Sequence, residues 1–405
     1  MMKCVETYES IYHQSPEDTA FCPYRISPLG AHIDHQWGKI NGFAIDKGIH
    51  MAYKPKLNGV VELQSLNFPK RAQFFVSAVP EYRQGDWADH LRGAAKMLGE
   101  KYRLSTGLSG VIEGSLPIGG LSSSASVIIC FLSALSKVNG IHLSPSEMIT
   151  LAKKAENEYV GVSCGKLDQS CEVLSRRNHL LYLDTRDDSF ELIETPSDMK
   201  SYSIAIFFSG LERSLKNSKY NLRQDECKAA AYALLSYAGL DYGSFADTRL
   251  RDVPEDVFLS YRDRLPDVWR RRAEHYYSEM RRAEKGAELW RKGDIERYGE
   301  LVFESGYSSI YSYECGCDEL RKLYEIMRHT DGIYGGRFSG AGFKGCCMAL
   351  IDPDKADSIE RKVTTEYLKA FPSLEGKYSF HLASSADGVG SEYNSFTDGA
   401  VSKIE

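Results

Sequence analysis

Runs rich in β-branched and aromatic residues at 40–53 and 72–77 predict strands. Between 86 and 98 the apolar period changes. Trp87, Leu91, Ala94, Ala95 and Leu98 share one helical face there, with Asp86 placed to cap the helix. Residues 127–135 (Val-Ile-Ile-Cys-Phe-Leu-Ser-Ala-Leu) form an unbroken apolar stretch entered from a segment of glycines and serines. Ser144-Pro145-Ser146-Glu147 is a capping box with proline at the first helical position, which predicts a helix running to about Tyr159. Strand-like pieces return at 178–184 and 201–208. The stretch 215–330 is then largely helical and rich in Arg, Glu and Tyr, before strand signals reappear at 346–351 and 378–382. With no steady βαβ rhythm, the pattern predicts an α+β architecture rather than a doubly wound sheet.

At 405 residues the chain exceeds what one core usually serves, which favours two domains. Hydrophobic content of 42% and charged content of 26% are those of a globular protein. A formal net charge of −6 argues against nucleic acid as a partner. The basic run 269–282, interleaved with acids at helical spacing, reads as a solvated, salt-bridged face. Ten cysteines without a C-x-x-C pair predict reduced, buried thiols. No apolar run approaches membrane-spanning length and the start lacks a signal-peptide core, so a cytoplasmic address without membrane attachment is expected.

Four segments carry candidate chemistry. Residues 114–126, Gly-Ser-Leu-Pro-Ile-Gly-Gly-Leu-Ser-Ser-Ser-Ala-Ser, open directly into the apolar stretch. A helix start leaves backbone N–H groups unpaired and carries partial positive charge. Gly119 and Gly120 let a polyanion approach, and the hydroxyls of Ser122, Ser123 and Ser124 can donate to phosphate or ligate Mg²⁺. One serine would suffice for a cap, so three after Gly-Gly are an excess. Residues 25–35 present Arg25, His32, Asp34 and His35 around a Pro-Leu-Gly turn, a set suited to gripping a polyhydroxyl ligand, with metal binding or a plain polar loop as alternatives. Glu156 sits late on a helix whose stripe Met148, Ala152, Ala155 and Tyr159 faces the core; Gly161 and Gly165 break that helix and let Asp168 return towards it. Two carboxylates so placed can divide labour, one holding Mg²⁺ and the other meeting a hydroxyl, while either alone could be a surface acid or a cap. Residues 335–345 contain a literal G-x-G-x-x-G. A strand-like run follows it, so a dinucleotide fingerprint is excluded and a loop beside the phosphate cradle fits better. No Walker A motif is present.

In this order the motifs resemble the GHMP small-molecule kinases, and within them the galactokinase branch, over nearly the whole chain. Residues 117–126 are similar to that family's phosphate loop, 161–169 to its Gly-x-x-Cys-Gly-x-x-Asp-Gln, 337–346 to its third glycine-rich motif, 25–35 to its sugar signature, and 209–220 to its sugar-contacting tyrosine region. The resemblance implies a ribosomal-S5-like N-terminal domain (1–198) and a ferredoxin-like C-terminal domain (199–405), with the site in the cleft between them and a final strand that can return to the first domain. It implies ATP and Mg²⁺ as cofactors and a sugar or uronic acid as partner, in a monomer or weak homo-oligomer. Asp168 then matches the catalytic base and Arg25 its cationic neighbour. Residues Gly119, Gly120, Leu121, Ser122, Ser123 and Ser124 match the nucleotide loop, with Trp87 on the adenine side. Ser124 and Glu156 match the metal positions, and His32, Asp34, Gly165 and Tyr220 the sugar contacts.

One departure carries information. Galactokinases have Glu where this chain has Ala31, and that Glu meets the C6 end of the hexose. Its loss removes a hydrogen bond to a neutral sugar and a repulsion against a C6 carboxylate. Residues 28–36 are similar to galacturonate kinases of the branch. The expected activity is therefore transfer of the ATP γ-phosphoryl to the anomeric hydroxyl of D-galacturonate. Galactose as substrate, or a non-catalytic sensor of sugar and ATP, are the alternatives.

Overall fold

The computed structural model describes residues 2–211, 220–390 and 401–404. Its first sheet is built around the long strand β2 (Lys39–Lys56), with eleven of its eighteen residues buried. β1 (Asp18–Leu29) pairs antiparallel with β2 and sets Arg25 opposite Ala44. Beyond β2 lie β5 (Gly107–Gly114), β3 (Val60–Ser65) and β4 (Ala72–Phe75) on one side, and β6 (His179–Asp184) and β7 (Ser189–Glu194) on the other. The β3–β5 pair is parallel and the rest of this sheet antiparallel. The second sheet is antiparallel, with order β11 (Ser379–Ala383), β8 (Ser203–Phe208), β10 (Cys346–Ile351), β9 (Ile333–Phe338). The chain then returns: β12 (Ser385–Ala386) pairs with β2, and β13 (Ser402–Lys403) with β7. This is the α+β architecture the periodicity predicts.

The apolar stretch becomes helix Ser123–Val138, buried on every side from Ala125 to Ser136. A helix that is apolar all round belongs in a core, and this one packs against β1, β2 and helix Asp89–Lys101. The capping box at Ser144 forms with both of its hydrogen bonds present. Its helix, Pro145–Lys154, widens into a π-helical turn over Ala155–Val160, which Gly161 ends at φ 81. Such turns are frequent at functional sites, and this one carries Glu156.

Two sequence expectations need correction. Asp86 does not cap its helix, which begins at Asp89 instead. The Asp89 carboxylate accepts the Gln84 and Gly85 N–H groups at 2.8 and 2.7 Å, and Arg92 joins Asp86 to Asp89, so a closed turn replaces the first helical turn. The basic run 269–282 is only in part a solvated face. Its helix, Asp267–Arg291, spans both cores: Tyr276 and Tyr277 pack into the second, Ala287 and Trp290 into the first. Arg272 is fully buried, compensated by Glu226 at 2.6 Å and Glu314 at 2.5 Å.

All ten cysteines are free thiols and eight are buried, as their spacing predicts. Among the described residues no helix is long and apolar enough to cross a membrane.

Inside the molecule the same helix supplies Glu279, whose carboxylate lies 3.5 Å from fully buried Arg337 of β9 and accepts Ser305 Oγ at 2.5 Å. Removing one partner of such a pair strands a buried charge. Glu279→Ala should therefore cost about 3–5 kcal/mol in denaturant unfolding, whereas Lys39→Ala, at the partly exposed pair with Glu284, should cost no more than about 1 kcal/mol. Equal, small losses would contradict the assignment.

Candidate active site

Between the sheets lies a cleft of ≈ 2220 Å³. That is more than twice the upper end, about 1,000 Å³, of an ordinary single-ligand pocket, so two substrates fit side by side. The serine-rich loop forms one wall. Gly119 and Gly120 adopt φ 140 and 87, a region that favours glycine, and a Cβ on Gly120 would stand 2.7 Å from Cys346 Sγ. Ser122 sits at φ 64, an outlier for a residue with a side chain. Its hydroxyl makes no cap bond and is buried without a partner. Ser123 and Ser124 line the same cleft at the first turn of the helix, while Leu121 is buried beneath. An orphaned donor, two permissive glycines and a helix N-terminus together fit a phosphate group.

The glycine-rich segment at 335–345 is the β9–β10 hairpin and packs on this loop. A Cβ on Gly345 would come within 2.8 Å of Gly119, and one on Gly340 within 2.9 Å of Gly120. A strand precedes as well as follows it, so no helix N-terminus faces a ligand there.

Arg25 joins the cradle to the acid. Its Nε and its NH2 lie 2.8 and 2.7 Å from the same Asp168 oxygen, Oδ1, and its NH1 donates to the Gly120 carbonyl at 3.0 Å. Burial works against the cation, but the Asp168 carboxylate outweighs it. Asp168 opens helix Leu167–Leu174 and faces the cleft. The Leu167 N–H donates to Asp34 Oδ2 at 3.2 Å, which seats Asp34 beside it. Gly165 makes this possible, since a Cβ there would lie 2.0 Å from the same oxygen. Burial, and then the charge of Asp168, push the Asp34 carboxyl up to about 6.

His32, at φ 64, is stacked on Tyr313 with centroids 4.5 Å apart, and burial drives its imidazole well below the usual range, so the ring is neutral. The turn that carries it is held from behind. His275 Nε2 donates to the Ala31 carbonyl at 3.0 Å, and Gly30 N–H to Glu279 at 2.8 Å. Ala31 itself lines the cleft. Tyr220 opens helix Tyr220–Tyr237 and lines the cleft too. Burial, followed by the Asp34 charge, raises its hydroxyl well above the ordinary value, so it remains a donor. The rest of the tyrosine segment, 212–219, lies outside the described residues. Trp87 faces the far end of the cleft, stacked on Phe68 with its Nε1 donating to the Lys70 carbonyl at 2.7 Å. Ser124 and Glu156 are hard oxygen donors lining one cleft, a donor type that suits Mg²⁺.

Sequence reasoning missed the layer beneath. Gln169 donates to Glu156 Oε2 at 2.5 Å and so orients it. Glu172, one turn after Asp168, is fully buried and accepts Ser126 Oγ at 2.7 Å. Burial first, then the Asp168 charge, push its carboxyl well above the ordinary range, so it is neutral and leaves Arg25 to Asp168. An acid at i+4 from Asp168 was the available signal, but periodicity alone does not say which face is inside.

Two family models match the chain: GHMP kinases N terminal domain over residues 89–176, and GHMP kinases C terminal over 287–370. The chain is 40% identical to a galacturonokinase of Arabidopsis thaliana over 372 residues, 87% of each protein. It is 32% identical to a galactokinase of Pyrococcus furiosus, covering 92% of this chain and 99% of that one. Its fold matches the crystal structure of Lactococcus lactis galactokinase complexed with galactose, with a TM-score of 0.85, 27% identity and coverage of 95% and 97%.

Carboxyl NMR should find Asp34 titrating near about 6. Since that lies above the ordinary aspartate value, the stability this group lends is present at low pH and lost as pH rises through about 6. Asp168→Asn, which removes the neighbouring charge, should lower the Asp34 midpoint; an unmoved midpoint would show that the two carboxylates do not interact.

Proposed function

The chain belongs to the GHMP kinases and is a sugar kinase, and from that premise we propose that it phosphorylates the anomeric hydroxyl of D-galacturonate at the expense of ATP. The observation that carries this reading is the convergence of Asp168, Arg25 and Asp34 with the serine-rich cradle in one cleft. In this proposal the nucleotide phosphates lie over residues 119–124, where backbone N–H groups and the Ser122 hydroxyl receive them. Ser124 and Glu156 would hold Mg²⁺, which when bound offsets phosphate charge.

Both contacts from Arg25 fall on Oδ1 of Asp168, which leaves Oδ2 for the sugar hydroxyl. As the sugar oxygen bonds to the γ-phosphorus, the bond to the ADP oxygen breaks and the hydroxyl proton passes to Asp168. Loose phosphoryl transfer needs little base strength, so the main contribution of these side chains is alignment. Asp34 accepts from ring hydroxyls, Tyr220 donates, and the neutral His32 ring can do either at one nitrogen each.

Ala31 supports the uronate over the neutral sugar. A carboxylate at that position, about 5 Å from the C6 carboxylate, would oppose binding by roughly 3 kcal/mol at an effective dielectric of 20. The 40% identity to a galacturonokinase points the same way. Galactose is the second reading, favoured by the match to the galactose complex.

A coupled ADP-release assay with galacturonate, galactose and glucuronate should give the highest kcat/KM for galacturonate; a preference for galactose would assign the second reading, and no turnover with any sugar would reject both. Asp168→Asn should lower kcat by roughly a hundred- to ten-thousandfold while nucleotide affinity is retained. Ala31→Glu should depress galacturonate kcat/KM by about a hundredfold and affect galactose far less.

A further inference from the structure

The phosphate cradle carries no cation of its own. No lysine or arginine stands between Ser115 and Ser136, and Arg25 is committed to Asp168 and the Gly120 carbonyl. The helix N-terminus supplies only about half a unit of positive charge, too little for a polyphosphate. Of the other cleft cations, Arg83 donates to the Val160 carbonyl at 2.8 Å and Arg223 lies 3.0 Å from both Glu226 oxygens, while the exposed Arg321 and Lys377 lie beside Gly316 and Gly210 and not beside the residue that closes on Gly119.

The β9–β10 hairpin offers what the cradle lacks. Lys344 lines the cleft, is exposed, and makes no ion pair or hydrogen bond through its side chain among the described residues. The loop on either side of it is anchored. Phe343 packs against the second core, and the Gly345 carbonyl accepts both Ser209 N–H, at 2.8 Å, and Ser209 Oγ, at 2.7 Å. The adjacent Gly345 approaches Gly119 so closely that a Cβ on either would stand within 3.0 Å of the other's backbone. A fixed backbone thus carries an ammonium without a partner among the described residues, on a flexible four-carbon stem, directly beside a loop whose one guanidinium contact, from Arg25, is matched by Asp168.

We infer that Lys344 is the cation that meets the nucleotide's phosphate oxygens, supplied across the cleft by the second sheet to a loop of the first. The inference rests on the proposed placement of the nucleotide over residues 119–124. The cradle therefore binds phosphate through two elements, and the charged one belongs to the side of the cleft opposite the helix.

Calorimetric titration of the full chain with MgATP and with adenosine tests this. Lys344→Ala should weaken MgATP about ten- to hundredfold, the loss of one charge-assisted contact, while adenosine affinity stays within about twofold and Lys344→Arg recovers most of the MgATP affinity. Wild-type MgATP affinity in Lys344→Ala overturns the inference and leaves the nucleotide placement intact. Equal weakening of adenosine also overturns it, since the loop would then have collapsed. A wild-type chain that binds no MgATP rejects the placement itself, and this inference with it.

Discussion

One guanidinium holds the site together. Arg25 projects from β1, reaches Asp168 at the start of helix Leu167–Leu174, and donates to the Gly120 carbonyl of the serine-rich loop. Three segments far apart in sequence are thereby fixed relative to one another by a group that is itself 4% exposed. In so buried a setting the charge must be matched, and Asp168 is the match. Glu172 lies close enough to compete, and its burial in neutral form removes that competition. The acid proposed to meet the sugar hydroxyl is thus held by the same contact that neutralises the arginine.

The turn proposed to contact the sugar is stiffened in a different way. Polar groups of the long helix Asp267–Arg291 reach the turn at Gly30–Ala31 from behind, through Glu279 and His275. Arg337 of the second sheet lies against that same glutamate. The turn belongs to the first sheet, but its supports come from the helical region and from β9. The shape of this turn therefore depends on how the later half of the chain packs. Positioning by buried, hydrogen-bonded partners is what aligns a hydroxyl for in-line attack without strong base catalysis.

Close backbone approach is the third constraint. Gly165 lets Asp34 sit against the loop before Asp168, and Gly119, Gly120, Gly340 and Gly345 let the two glycine-rich segments touch. Any side chain at these positions would meet backbone or a carboxylate oxygen. The glycines that looked like phosphate ligands in the sequence serve equally to bring two loops together, so that a hairpin from one sheet completes a cradle from the other.

Local patterns in the chain located the long strand β2, the buried helix Ser123–Val138 and the capped helix after Ser144, but gave no reading of strands β1, β3, β5, β7 and β9. Apolar periodicity, the capping box at Ser144 and the glycine breaks at 161 and 165 are short-range signals, set by backbone sterics and by which residues can share one face. The segments proposed to carry the chemistry were legible for the same reason, since two glycines and three serines that open a helix are consecutive residues. Where a long-range partner decided, the pattern misled: Asp86 was drawn into a turn by Arg92, and Arg272 was buried by Glu226 and Glu314. Only the tertiary structure brought Glu172 beneath the Arg25–Asp168 pair, Glu279 behind the Gly30–Ala31 turn and Lys344 to the rim of the cradle. Their significance lies in charge and distance across the fold, and neither quantity is encoded in the spacing of residues along a strand or helix.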